Sequence, residues 1–347
     1  MLGSQLIEKR IFLDDKRGKR ELEEFLQTQD IRLDENAEYI MAIFNEDELI
    51  ATGSLSNNTL RSIAVKPKYQ GTSLLNKVIS HLIKEAYQKG ITHLFIYTKP
   101  KSVKSFTFLG FYEIARVKDV VLMENSPTEI QSYLNELSTK KVDGKNIASI
   151  VMNANPFTNG HKYLVEQAAK ENDVVHLFVV SEEASIIPFD IRYELIKKGT
   201  KHLDNVILHK GGVYMVSSAT FPSYFMKDAN QAINVYAALD LTIFKRYIVP
   251  TLNINRRYVG EEPYCEVTKI YNETMKRILE GEDMEVRVIP RVESQGRAIS
   301  ASFVRRLIKE HELERIKDFV PSTTYEFFRS KEAEDLIKKI KSNTGRH

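Results

Sequence analysis

The chain has 347 residues, 42% of them hydrophobic and 28% charged, with 50 basic and 47 acidic side chains interspersed for a net charge of +3. That length buries substantial cores and favours two domains over one, and the balanced charge lacks the basic footprint of a dedicated nucleic-acid binder. No window reaches the roughly 18 to 20 uninterrupted apolar residues of a membrane span, and the opening "MLGSQLIEKRIFLDDKRGKR" is charged too early for a signal peptide, so a cytoplasmic protein is expected.

In chain order, "EYIMAIFNEDELIATGSLSNNTLRSIAVKP" predicts three short antiparallel strands around Asn45-Glu46-Asp47 and Ser56-Asn57-Asn58. "TSLLNKVISHLIKEAYQKG" follows with Leu74, Leu75, Val78, Leu82, Ile83 and Ala86 at helical spacing and a stop at Gly90. The strand "THLFIYTK", a helix around "SVKSFTFLG" and closing strands in "FYEIARVKDVVLME" complete an α+β block. A short helix and the linker-like "STKKVDGKN" end it, which places the domain division at 1–140 and 141–347.

Beyond the linker the rhythm changes. "IASIVMN", "VVHLFVVS", "NVILHKG", "RRYVG" and "EVRVIPR" read as strands, mostly continuous apolar runs, and helical patterns such as "HKYLVEQAAK" and "DIRYELIKKGTKHL" lie between them. The expected fold class is therefore α/β: a Rossmann-like parallel sheet preceded by the α+β block. The single cysteine, Cys265, forms no intramolecular disulfide and reads as a small packed side chain. The tail "KKIKSNTGRH" reads as a solvated helix face and frayed end.

In an open parallel sheet, ligands bind beyond the C-terminal strand ends. Residues 153–160 stand at such a place, directly after the block's first strand. Pro156 keeps Asn155 out of helical conformation, and Gly160 admits a ligand close to the backbone where the next helix begins. The free N–H groups and dipole of that helix favour an anion, so phosphate is the natural guest, and His161 in the first turn can donate to one of its oxygens.

Thr158-Asn159-Gly160-His161 resembles the T/H-x-G-H signature of the nucleotidyltransferase superfamily, and "ISASFVRRLI" resembles its I-S-S-T-x-x-R motif. Ser300, Ser302 and Arg305 open the predicted helix Ala301–Lys309, and taken alone Ser300 is an ordinary N-cap. The resemblance implies that His161, Thr158 and Arg305 serve adenylyl transfer and that Asn153, Asn155, Pro156, Phe157, Gly160, Ser300 and Ser302 cradle ATP, with Mg²⁺ carried largely by the phosphates. Gly260 and Glu261, at the end of "RRYVG", correspond to the adenine side; Glu261-Glu262 reads equally well as an exposed acidic loop. Arg192, on a helix capped by Asp190, matches an arginine that supports the site in related enzymes.

In the first block, "IAVKPKYQGTSLLNKVISHLIKEA" followed by "FLGFYEIA" resembles the GCN5-related N-acetyltransferase (GNAT) fold, where a Q/R-x-x-G-x-G/A loop cradles the pyrophosphate of coenzyme A. Gly71 fits that loop strictly; Lys68 and Ser73 replace two of its other positions. Gln70 and Gly71 are the residues expected to contact such a ligand.

The whole chain resembles the citrate lyase ligase family, above all in "NANPFTNGHKYLVEQA", "ATFPSYF", "RRYVGEEP" and "ISASFVR". Membership implies an acid–thiol ligase that converts acetate and ATP to acetyl-adenylate and acetylates the thiol of phosphoribosyl-dephospho-coenzyme A. That group is carried by the acyl carrier (gamma) subunit of citrate lyase. The alternatives are a nucleotidyltransferase of cofactor synthesis and a non-catalytic module that senses ATP and coenzyme A.

Overall fold

The computed structural model describes residues 6–181, 185–215, 221, 229–262 and 265–343. The segment "ATFPSYF" lies outside these residues apart from Phe221, as do Pro263 and the last four residues of the tail. Contacts divide the chain into two compact units, Met1–Gln131 with Phe221–Val235, and Ser132–Thr220 with Tyr236–His347.

The first unit is built on a seven-stranded mixed sheet of β1 (Leu6–Ile11), β2 (Tyr39–Asn45), β3 (Glu48–Ser56), β4 (Thr59–Val65), β5 (Phe95–Thr98), β6 (Tyr112–Arg116) and β7 (Val121–Glu124), in the order β1-β2-β3-β4-β5-β7-β6. From Tyr39 to Phe44, β2 is buried and almost wholly apolar because both of its faces are covered. Met41 and Ile43 point toward α2 (Leu74–Gln88), where Leu74, Val78, Leu82 and Ala86 are buried as the sequence pattern predicts, Ile79 joins them, and Leu75 and Ile83 are only partly buried at the edge of the stripe. Ile40, Ala42 and Phe44 point the other way, toward Leu22, Phe25 and Leu26 of α1 (Lys16–Gln27). Each of the larger of these buried side chains contributes about 1.5–3 kcal/mol. Neither β1 nor α1 is announced by the sequence pattern: "LIEKRI" is an edge strand whose four central side chains are exposed, so it carries no alternation.

All neighbours in this sheet are antiparallel except β4 and β5. Those two pair at only Thr59–Phe95 and Leu60–Ile96, and beyond that point a cleft of about 390 Å³ opens between them. Gln70, Gly71 and Thr72 line its mouth at the start of α2, opposite Tyr97 and Lys99. The short α3 (Val103–Thr107) closes it through Phe106.

After α4 (Glu129–Ser138) comes the second unit's five-stranded sheet: β8 (Ile147–Met152), β9 (Val174–Val179), β10 (Val206–Lys210), β11 (Arg256–Gly260) and β12 (Glu285–Ile289). Its order is β10-β9-β8-β11-β12 and every pair is parallel, as the apolar runs predict. The strand order reverses between β8 and β11, which marks the switch point where a ligand is expected. α5 (Asn159–Glu171) and α6 (Phe189–Gly199) cover one face with Val165, Ala168, Leu195 and Ile196 against Ala148, Ile150 and Tyr258. Asp190 sits in the first turn of α6; the N-cap is Pro188, which corrects the capping role expected of that aspartate. α7 (Ala229–Ile243), α8 (Val249–Leu252) and α9 (Glu266–Leu279) follow, and Cys265, at the N-cap of α9, is exposed rather than packed. After the two-stranded β13 (Glu293–Ser294) and β14 (Arg297–Ala298), α10 (Ala301–Lys309), α11 (Ser322–Arg329) and α12 (Glu334–Ser342) share a core that includes Phe303, Leu307, Phe319, Phe328 and Leu336.

The other face of this sheet carries buried polar groups inside strands that read as apolar. Strand register sets His176, Ser149 and Arg257 side by side on β9, β8 and β11, and His176 Nδ1 lies 2.9 Å from Nε2 of His209 on β10. Burial pushes both imidazoles well below their ordinary pKa of 6.5. Protons then bind the unfolded chain first as pH falls, so the stability these groups confer is complete above about pH 6.5 and declines below it. At pH 5.5 the loss is expected to be about 1.4 kcal/mol per histidine relative to pH 7.5. Urea unfolding at the two pH values measures it, and His209→Gln should remove part of the dependence.

Candidate active site

β8 delivers the chain to the switch point, and the loop 153–158 is fixed there by its own polar groups. The fully buried Arg192 of α6 donates from Nη1 to the carbonyls of Asn153 (2.8 Å) and Val180 (3.0 Å), and from Nε to that of Ile187 (3.0 Å). A guanidinium matches three inward-turned carbonyls better than any neutral side chain, which explains an arginine at an apolar-stripe position beside Leu195, Ile196 and Gly199. Asn153 exchanges hydrogen bonds with Ser185 at 2.9 and 3.2 Å, and Asn155 Oδ1 accepts from the Ile187 N–H at 3.2 Å. Ala154 takes a left-handed φ of 50°, and the Asn155–Pro156 bond is cis. Phe157 is fully buried with its ring against Gly199, where a Cβ would lie 2.5 Å from Phe157 Cε1.

Thr158 caps α5, its Oγ1 accepting from the His161 N–H at 3.4 Å. In return the Thr158 backbone N–H donates to His161 Nδ1 at 3.1 Å, and the Thr158 hydroxyl lies 2.9 Å from the same nitrogen. A backbone N–H can only donate, so Nδ1 is the acceptor and the ring proton resides on Nε2. The imidazole lies nearly parallel to the Phe157 ring, 6.0 Å between centroids and 13° apart. Burial and, secondarily, the positive charge of Arg291 hold its pKa down to about 4. His161 is thus a neutral Nε2–H donor with its tautomer fixed by the helix cap. The Asn159 N–H is taken by the Phe319 carbonyl at 2.9 Å.

The second motif meets the first. Ser300 caps α10, its Oγ accepting from the Phe303 N–H at 3.2 Å and lying 3.2 Å from the Ser302 hydroxyl. The Ile299 carbonyl is 3.6 Å from where a Cβ on Gly160 would stand, so the starts of α5 and α10 adjoin although 140 residues separate Gly160 from Ser300. Arg305 Nη1 donates to the Asn155 carbonyl, tying α10 to the first loop. Gly260 ends β11, next to β8; a Cβ there would meet nothing within 4 Å, so the strand end is open on that side. Glu261 is exposed, with its N–H donating to the Ile289 carbonyl at 2.9 Å. Glu262 is not a free acidic side chain: it pairs with Arg291 and accepts from the Cys265 N–H at 3.1 Å.

The sequence-predicted residues Asn153, Asn155, Pro156, Phe157, Thr158, Gly160, His161, Gly260, Glu261, Ser300, Ser302 and Arg305 therefore gather at one edge of one sheet. Ser185 and Arg291 were missed. Ser185 belongs to no motif, and Arg291 ends a strand-like run in which its spacing to the motif residues carries no signal. In the first unit, Gln70 Nε2 donates to the Val65 carbonyl at 3.3 Å, and Gly71 has a φ of 81°, a conformation that favours glycine. Lys68 is engaged with Glu48 at 2.9 Å.

Residues 8–113 match the acetyltransferase (GNAT) family, and residues 147–328 match the family described as the citrate lyase ligase C-terminal domain. The mixed sheet of the first unit and the parallel sheet of the second, with two capped helix starts at its switch point, correspond in order to these two matches, and the relatives that cover nearly the whole chain make it an enzyme of the ligase class. Curated relatives named citrate (pro-3S)-lyase ligase come from Klebsiella pneumoniae (38% identical over 328 residues, 93% of this chain and 96% of the relative), Escherichia coli strain K12 (37% over 336 residues, 95% of each) and Haemophilus influenzae (39% over 313 residues, 88% and 93%). The chain belongs to the citrate lyase ligase family.

Proposed function

We propose that the protein joins acetate, through its adenylate, to the thiol of the phosphoribosyl-dephospho-coenzyme A group on the citrate lyase acyl carrier (gamma) subunit. An acetate oxygen attacks the α-phosphate of ATP and pyrophosphate leaves; the carrier's thiolate then attacks the acetyl carbonyl and AMP leaves. The names of the relatives support citrate lyase as the protein acted on. The observation that carries the adenylation step is the meeting of two capped helix starts at Gly160 and Ile299, with the neutral, Nε2-protonated His161 in the first turn of one of them.

In this reading residues 141–347 do the adenylylation. His161 and Thr158 stabilise charge on the α- and β-phosphates, while Ser300, Ser302 and Arg305 hold the departing pyrophosphate. Gly260 and Glu261 border the nucleoside, and the open space beside the Gly260 Cα suits the close approach of a ring. Asn153, Asn155, Pro156 and Phe157 give the loop its shape, and Mg²⁺ arrives with the phosphates. Residues 1–140 hold the carrier's coenzyme A-like arm through Gln70 and Gly71 at the start of α2. The reaction is cytoplasmic.

Mass spectrometry of deacetylated carrier after incubation with the protein, ATP, Mg²⁺ and acetate tests the whole assignment: a gain of one acetyl group is expected. A dinucleotide product from a phosphate-ester substrate would instead identify a nucleotidyltransferase of cofactor synthesis, and ATP binding without exchange a sensor. Gly71→Val should lower carrier acetylation by about tenfold or more and acetate-dependent ATP–pyrophosphate exchange far less, because only the acceptor arm meets that loop. Equal losses in both assays would remove the GNAT-type block from acceptor recognition.

A further inference from the structure

Arg291 follows β12 and leads toward the β13–β14 turn and α10. Its Nε donates to the Glu261 carbonyl at 2.9 Å, and its Nη2 pairs with the Glu262 carboxylate. The backbone around it is pinned on both sides, by the Glu261 N–H on the Ile289 carbonyl and by the Ile299 N–H on the Val292 carbonyl at 3.1 Å. Ile299 is the residue whose carbonyl borders Gly160. The guanidinium is thereby tied into the same edge as the ends of β11 and β12 and the starts of α5 and α10, and it lies close enough to His161 to oppose protonation of the ring.

This edge favours anions: two helix starts adjoin in it, and Arg305 and Arg291 are both held to its backbone, at the Asn155 and Glu261 carbonyls. A carboxylate seated on one of those arginines, with the pair mostly shielded (22% and 11% side-chain exposure), occupies a place suited to a substrate oxyanion. Glu262 has a second hold, because Oε1 accepts from the Cys265 N–H at the start of α9, where the helix dipole stabilises negative charge. Losing Arg291 would not leave it without a partner. We propose that Arg291 is an anion-receiving residue of the active site and that Glu262 keeps it occupied until a substrate anion, the polyphosphate of the nucleotide or the carboxylate of the acid, takes its place. The proposal rests on the adenylating reading of this site.

The test is equilibrium binding to the full chain, with inorganic pyrophosphate as one probe and acetate in the presence of ATP as the other. Arg291→Met should weaken one probe by about ten- to hundredfold, the usual worth of a charge-assisted hydrogen bond to an anion. The affected probe identifies the source: pyrophosphate for the polyphosphate, acetate for the acid. Glu262→Gln should strengthen binding of that same probe several-fold, since the competing carboxylate is gone. A brace that merely stiffens the loop predicts the reverse, so weaker binding in Glu262→Gln overturns the proposal, as does unchanged binding of both probes in Arg291→Met. Arg291→Lys keeps the charge without the planar fork; it carries the test if the methionine variant does not fold, and should weaken the same probe by roughly fivefold. Acetate-dependent exchange by the unaltered protein is measured alongside. Its absence counts against the adenylation reading alone, because probe binding needs no turnover.

Discussion

Replacing His161 by alanine is expected to lower acetate-dependent ATP–pyrophosphate exchange by roughly 30- to 1,000-fold, while the affinity for ATP changes much less. The estimate is about 2–4 kcal/mol for one preorganised donor aimed at charge that grows in the transition state. Preorganisation is visible in the cap: the Thr158 N–H fixes Nδ1 as acceptor, and Nε2 carries the proton. The imidazole's pKa of about 4 adds a second expectation. Exchange should show no histidine ionisation between pH 6 and 8, because the ring is already neutral there. A pH profile with an inflection near 6.5 that vanishes in the alanine variant would mean that His161 works as an imidazolium. Near-normal exchange in His161→Ala would reduce the residue to a helix cap.

The second large effect is expected at Arg192, which touches no substrate in the proposed reaction. Arg192→Met keeps the apolar stem and deletes the donors to the carbonyls of Asn153, Val180 and Ile187. Leaving buried acceptors without donors costs about 1–3 kcal/mol each, so a loss on the order of 3–5 kcal/mol in stability is expected after partial relaxation. Thermal unfolding should shift down by roughly 10 °C. Exchange should fall as well at temperatures where the variant remains folded, because the 153–158 loop loses its anchor. Unchanged stability would show that other groups satisfy those carbonyls. Retained stability with lost exchange would assign Arg192 a direct part in the reaction.

The legibility of the fold followed burial. β8 and β9 were readable because largely apolar runs bounded by turns have few other uses, β12 because Val286 and Val288 alternate with Glu285 and Arg287, and Ala301–Lys309 because Ser300 and the spacing of Phe303, Val304, Leu307 and Ile308 define a capped amphipathic helix. α7 gave no such signal: it is apolar with little sidedness, so no periodicity marks it. β1 was hidden for the opposite reason, being almost wholly exposed. At the site, each motif could be read alone, but the meeting of α5 and α10 is a property of strand order. Arg291 enters through its bonds to the Glu261 carbonyl and the Glu262 carboxylate some thirty residues earlier, which no local pattern encodes. The row His176–Ser149–Arg257 sits inside strands whose apolar neighbours masked it.

The bare Cα of Gly199 has a consequence for how this protein can change over generations. Position 199 lies on α6, outside every motif, yet even a methyl group there would collide with Phe157 at 2.5 Å. That ring is nearly parallel to the His161 imidazole, 6.0 Å away between centroids. A mutation at 199 is therefore transmitted to the imidazole through one intervening side chain, without altering any group that would meet the nucleotide. Selection on the reaction then acts on a codon whose product never touches a reactant, and the variants open to it at that codon shrink to glycine unless Phe157 changes in step.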